Sequence, residues 1–217
     1  MVSFVNILPF VRKWEGGEVY FPTEGQWTNR GVQWTTYKAL APKLLGIPNP
    51  TVEGLRSMTE AQGDKFIEYF WNKATFNNSI TNQATANAFF EMLWGGGNYG
   101  IKWLQKKIGV YPDGNVGAKT VAAANKFDPE TILNEVLKRF NYLATANPAK
   151  YGGVIDGWRN RFNDLYAQSK MYFASIEDNL LKEIPESKKK SKWWLLLLAA
   201  GGGYLIYKKI NKSKNGK

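Results

Sequence analysis

The segment PETILNEVLKRFNYLATA, residues 129 to 146, is eighteen residues of helical periodicity with Pro129 in its first turn. Several other segments read the same way. MTEAQGDKFIEYFWNKATF predicts a helix with Thr59 as N-cap. TANAFFEMLWG and GIKWLQKKIGV predict two helices separated by GGGNYG, and KTVAAANKF predicts another. DGWRNRFNDLYAQSKMYFASIEDNLLKEI predicts a long closing helix. Few segments alternate as strands do, so a chain like this must bury helix against helix. The expected class is mainly α, with a small hairpin between residues 18 and 34.

The chain opens on SFVNILPFVRKWEGG, where Phe4, Ile7, Leu8, Val11 and Trp14 recur at helical spacing. This predicts an amphipathic helix from Ser3, with Pro9 kinking it or delaying its start and Gly16-Gly17 stopping it. Residues 1–81 are expected to form one region and residues 82–173 a second. Residues 174–192 are a helix end and basic linker, 193–207 a hydrophobic segment and 208–217 a basic tail.

The chain has no cysteine and no histidine among its 217 residues. It cannot by itself run Ser-His-Asp or Cys-His chemistry, and it lacks the usual zinc ligands. Any acid–base work falls to its eighteen carboxylates. The net charge of +11 points to nucleic acid less than it first suggests. Residues 187 to 217 hold nine lysines and no acid, so the body carries only +2. No nucleic-acid partner, metal or cofactor is expected.

Glu15 is the carboxylate that stands out. At 100° per residue it lies over Phe4 and Leu8, so it shares the apolar stripe of the first helix. It also lies at that helix's C-terminus, where the backbone dipole disfavours negative charge. Both effects raise a carboxyl pKa, as a general acid for glycosidic bonds requires. The competing reading has Glu15 turning outward, or pairing with Arg12 or Lys13. The loop that follows adds Glu24, a second carboxylate, and the Thr28 hydroxyl, either of which could hold a water or stabilise an oxocarbenium-like transition state. Tyr20, Phe21, Trp27 and Trp34 could stack on sugar rings or simply pack. Glu91 is either a second cleft carboxylate or a solvated helix residue. The GGGNYG stretch, residues 95 to 100, either lets a glycan approach the backbone or breaks a helix.

These residues resemble a known family. WEGGEVYFPTEGQWTNRGV, residues 14 to 32, is similar to the opening of glycoside hydrolase family 108, which reads EGG and then a D-P-x-D-x-G-G-x-T-N-x-G-I loop. FIEYFWNKATFNNSI resembles its Y-x-x-Y-W segment. Asp113 to Thr120 resemble the D-G-x-x-G-x-K-T turn of the associated predicted peptidoglycan-binding domain, and RFNYL…GGVIDGWRNRFNDL its closing R-x-x-Y…G-W-x-x-R segment. The resemblance covers about residues 4 to 170. Phe21 replaces the first aspartate of the loop, Gln26 the second paired glycine, and Glu24 the second aspartate after a one-residue gap. Phage-type lysozymes of a related fold use Glu-x8-Asp-x5-Thr; here Thr28 follows Glu24 after three residues.

The resemblance implies an α+β lysozyme-like domain joined to a helical peptidoglycan-binding one. It implies a phage endolysin, an N-acetylmuramidase cleaving the β-1,4 bond from N-acetylmuramic acid to N-acetylglucosamine. Glu15 is then the catalytic acid; either Glu24, with Thr28, fills the second catalytic role or the enzyme relies on the one acid. Tyr20, Trp27, Asn29, Trp94 and Asn98 are the expected substrate contacts, and bacterial peptidoglycan the partner. A lytic transglycosylase, or a non-catalytic wall-binding virion protein, is the alternative.

WWLLLLAAGGGYLIY, residues 193 to 207, has no charge in fifteen residues and lysines on both flanks. A helix of that length spans about 22 Å, less than a hydrocarbon core of roughly 30 Å, yet its terminal Trp and Tyr suit a membrane interface. A lipid bilayer is therefore an expected partner, and the virion membrane or host cell envelope the expected location. The alternative for this segment is a buried core helix. The N-terminus lacks the basic n-region and cleavage site of a signal peptide.

Overall fold

The computed structural model describes residues 2–22 and 25–183, with side chains to residue 173. Glu24 and the hydrophobic segment 193–207 lie outside the described residues. No helix among the described residues is long and apolar enough to cross a membrane.

The described chain is mainly helical. Ser3 caps a single 3-10 turn over Phe4–Asn6 by accepting from the Val5 amide. The α-helix α1 then runs Leu8–Trp14. The continuous helix expected from Ser3 is thus corrected to a 3-10 turn and a later start, with Pro9 in the first turn of α1 where its missing N–H costs nothing. A three-stranded antiparallel sheet follows: β1 (Glu18–Phe21), β2 (Gln26–Asn29) and β3 (Val32–Gln33), in the order β1-β2-β3. This is the small hairpin region expected between 18 and 34. Two helices that sequence periodicity does not single out come next, α2 (Trp34–Leu45) and α3 (Val52–Arg56).

The helix α4 (Glu60–Thr75) starts on a full capping box. The Thr59 hydroxyl accepts from the Gln62 amide, and the Gln62 side chain accepts from the Thr59 amide. The central helix α5 (Gln83–Lys107) is broken by Gly97, whose φ of 54° and ψ of −148° are not helical. The two expected helices are thus both present, with their break at Gly97 inside the GGGNYG stretch, and share the label α5. Around it pack α6 (Ala118–Ala124), α7 (Pro129–Ala146), the short α8 (Pro148–Tyr151) and α9 (Ile155–Glu183).

Two apolar cores result. The larger gathers residues from Ile7 of the N-terminal segment to Leu165 of α9, with Trp71, Phe89, Phe90 and Leu104 fully buried within it. It runs across the 81/82 point in the chain. The smaller joins Val32, Tyr37, Ala41, Leu55, Met58 and Phe66 beneath the sheet. Trp94 packs against both. Residues placed at that seam are held from two sides.

Candidate active site at the seam of the two cores

Glu15 caps the C-terminus of α1, its N–H bonded to the Val11 carbonyl at 2.8 Å. The preceding residues fix where it goes. Lys13 Nζ and Trp14 Nε1 both donate to Asp164 Oδ2 on α9 at 2.8 Å. Arg12 pairs with Glu60 and Asp64 of α4. The two cations that could have drawn Glu15 outward are thus engaged elsewhere, and the Glu15 side chain turns in until it is only 21% exposed.

There it meets three groups. Trp94 Nε1 donates to Glu15 Oε1 at 2.9 Å, and Arg161 Nη1 lies 2.8 Å from the same oxygen. The third neighbour is Gly31. A two-residue turn, Arg30-Gly31, joins β2 to β3 with φ of 50° and 74°, the geometry of a type I′ hairpin. It brings the Gly31 backbone so near that a Cβ there would sit 2.7 Å from Glu15 Oε2 and 2.8 Å from the Trp94 ring. The T-N-R-G run therefore has a physical reason: only glycine suits both the backbone angle and the contact.

Arg161 links Glu15 to a second carboxylate. Its Nε donates to Glu91 Oε1 at 2.6 Å and its Nη2 to Glu91 Oε2 at 3.0 Å. Glu91 is 3% exposed, so it is neither a solvated helix residue nor an open cleft carboxylate. It is the buried counter-ion that holds Arg161 in a two-bond grip. The cluster shifts Glu15 and Arg161. Burial pushes the Glu15 carboxyl above the usual carboxylate range, against the pull of Arg161, and the charge of Glu91 pushes the same way. The Arg161 guanidinium is held in its charged form by both carboxylates despite burial.

The other expected site residues divide. Trp94 is at Glu15, stacked on Phe90 with centroids 5.6 Å apart and edge-on to Phe70 at 5.4 Å. Thr28 is buried on β2 and its hydroxyl has no hydrogen-bond partner among the described residues. Tyr20 and Trp27 oppose each other across β1 and β2 with rings 5.4 Å apart. The Arg56 guanidinium lies 4.4 Å over the Trp27 ring, and Tyr20 is exposed. Asn29 is buried at the end of β2. Its amide donates to the carbonyls of Leu55 and Arg56 at 3.0 and 2.9 Å and so pins α3 to the sheet. Asn98 belongs to a separate groove whose lining includes none of Glu15, Trp94 and Arg161. Sequence reasoning assigned no role to Arg161, although it is the final arginine of the G-W-x-x-R segment. Nothing in local periodicity says that an arginine in α9 will meet a glutamate 146 positions earlier.

Residues 99–163 match the family described as Predicted Peptidoglycan domain, and that segment contains Arg161. The solved structure of SagA from Brucella abortus is similar, with 26% identity and a TM-score of 0.64 over 78% of this chain and 95% of that one. No curated protein matches. The segment match and the structural likeness support a peptidoglycan-associated protein.

Proposed function

We propose that this protein hydrolyses the glycan strands of peptidoglycan, cutting the β-1,4 bond from N-acetylmuramic acid to N-acetylglucosamine, with Glu15 as general acid. The observation that carries this reading is a carboxyl at a core seam, still partly open to solvent and kept above its usual pKa by burial and a neighbouring carboxylate. Both hydrogen-bond donors engage Oε1, which leaves Oε2, beside Gly31, to carry the proton. In the reaction Glu15 gives that proton to the bridging oxygen as its bond to the muramic acid C1 breaks. Water adds to C1, and the proton water loses restores the acid. The resemblance to phage muramidases assigns Glu24 and Thr28 to the water side of this exchange. Thr28, buried with an unengaged hydroxyl, suits such a task.

A specific observation favours a second reading. Arg161 bonds directly to Glu15, and a closed ion pair is what a non-catalytic wall-binding protein could retain. Products separate the two. Full-length protein is incubated with purified peptidoglycan and released fragments are analysed by mass. Reducing muramic acid ends are expected. Anhydro ends would make the protein a transglycosylase, and sedimentation with the wall without any fragment would support the binding reading.

The proposal extends to the tail by sequence alone. Residues 193–207 and their flanking lysines would tether this activity to a bilayer, as in a phage lytic or entry enzyme. Flotation with lipid vesicles of the chain with and without residues 188–217 tests it, and equal behaviour removes it.

A further inference from the structure

Beyond the Kink at Gly97, a groove of about 440 Å³ opens between the end of α4 and the turn before α6. On its Tyr69 side two ammonium groups converge: Lys43 Nζ lies 5.3 Å and Lys73 Nζ 5.7 Å from the centre of the Tyr69 ring. Neither lysine has an acidic partner among the described residues. The rest of the lining is rich in carboxamides, those of Asn72, Asn77, Asn98 and Asn115, whose side chains bond to no other described residue.

Both walls are built rigidly. On one, Phe76, Asn77 and Asn78 all adopt left-handed backbone angles, with φ of 50°, 54° and 63°. Asparagine tolerates this region but phenylalanine does not, and such strain persists only where surrounding bonds impose it. They do so here. Trp71 Nε1 donates to Asn78 Oδ1 at 2.6 Å, the Asn78 amide to Thr75 Oγ1 at 3.0 Å, and the Asn77 amide to the Asn72 carbonyl at 2.9 Å. On the other wall the buried Gln105 organises the turn. It donates to Asp113 Oδ1 and to the Asn115 carbonyl at 2.8 Å and accepts from the Gly114 amide at 2.8 Å. Gly114, at φ 86°, presses so closely on Asn98 that a Cβ would come within 2.9 Å of it. The D-G turn is therefore the scaffold of this wall.

Two unpaired cations select carboxylates, and free carboxamides pair with peptide groups, which they match in donors and acceptors. A glycan strand has no carboxylate to offer once its lactyl groups are amide-linked; the short acidic peptides that hang from it do. We infer that this groove binds the stem peptide of peptidoglycan, apart from the site where Glu15 acts on the sugar. The inference rests on the peptidoglycan reading above but not on catalysis.

The test is fluorescence anisotropy of dye-labelled alanyl-γ-glutamyl-lysine and of its diaminopimelate counterpart, titrated with the full-length chain. Saturable binding is expected that weakens with added salt. It should fall about tenfold or more in Lys43→Ala/Lys73→Ala, fall also in Asn98→Ala, and be unchanged in Glu15→Gln. All the substituted groove residues are exposed, and circular dichroism confirms that the variants fold. Absence of saturable binding to both peptides, indifference to both groove variants, or displacement by tetra-N-acetylchitotetraose would each overturn the inference. Failure of the hydrolase reading leaves the peptide titration intact, because no turnover is measured. Failure of the groove leaves product release intact.

Discussion

Upstream of Gly97, α5 brings Glu91 and Trp94 to a buried cluster of charges. Downstream of it, the same helix brings Asn98 to an open groove of neutral amides and solvated lysines. The first region places two carboxyls and a guanidinium where water is scarce, so the charge states of Glu15 and Arg161 depend on their neighbours. The second holds its polar groups in water and orders the backbone instead. A site that must move a proton needs the former; a site that only has to hold a ligand is served by the latter.

The contrast is broken most severely at Arg161. Replacing it with methionine strands Glu91 as an uncompensated buried carboxylate, and we expect a loss of about 3–5 kcal/mol in urea unfolding at neutral pH. Adding Glu91→Leu should recover most of that loss, because a buried pair replaced by apolar groups is often neutral. A single variant as stable as the parent would show that the cluster is not what ties α9 to α5.

Gly31→Ala comes next. Its left-handed φ strains any side chain, at about 1–3 kcal/mol, and its Cβ would meet both Glu15 and Trp94. Gly17→Ala is the matched control, since its φ is 75° and a Cβ there meets nothing within 4 Å. Both should lose stability, but only Gly31→Ala should also lose glycan cleavage.

The pH dependence sharpens the comparison further. Glu15 binds its proton more tightly folded than unfolded. The Glu15 contribution to folding stability should therefore be fully present below the ordinary carboxyl pKa of 4.5. It should fall as pH rises from there through the raised folded value, and then level off. The difference in unfolding free energy between the parent and Glu15→Gln should show that fall as pH rises. In the proposed mechanism cleavage uses the same proton, so its alkaline limb should follow the raised value. Glu91→Gln removes one cause of the rise, and its limb should move to lower pH.

The smallest effect on stability is expected at Thr28. Its hydroxyl is buried without a partner, so Thr28→Val should unfold within about 1 kcal/mol of the parent. A drop in cleavage at unchanged stability would then assign the hydroxyl to chemistry.

Much of the helical frame was legible. Residues 129 to 146 were read as a helix from period alone and form α7, and Thr59 was read as the cap of α4 that it is. The apolar stripe marks Glu15 as a carboxyl pushed upward by burial, the largest cause of its shift, while the charge of Glu91 is a cause that the stripe does not reveal. The failures share a cause. The delayed start of α1 at Pro9 follows from the sequence, but the 3-10 turn that satisfies the residues before it is a choice the apolar spacing does not encode. The tie between Asn29 and α3 is invisible in sequence, because only the fold brings the carbonyls of Leu55 and Arg56 near its amide. Glu91 and Arg161 are 70 positions apart, and their bond needs α5 and α9 already packed. Local pattern shows what an element is, and tertiary pairing decides what each polar group on it does.

The most direct test of the central claim compares the full-length chain with its Glu15→Gln variant on purified peptidoglycan, reading reducing muramic acid ends by mass. The wild-type protein should release them. The variant, folded and still bound to the wall, should do so at least about a hundredfold more slowly. Equal release from both would mean that another group supplies the proton and that the buried cluster around Glu15 serves structure alone.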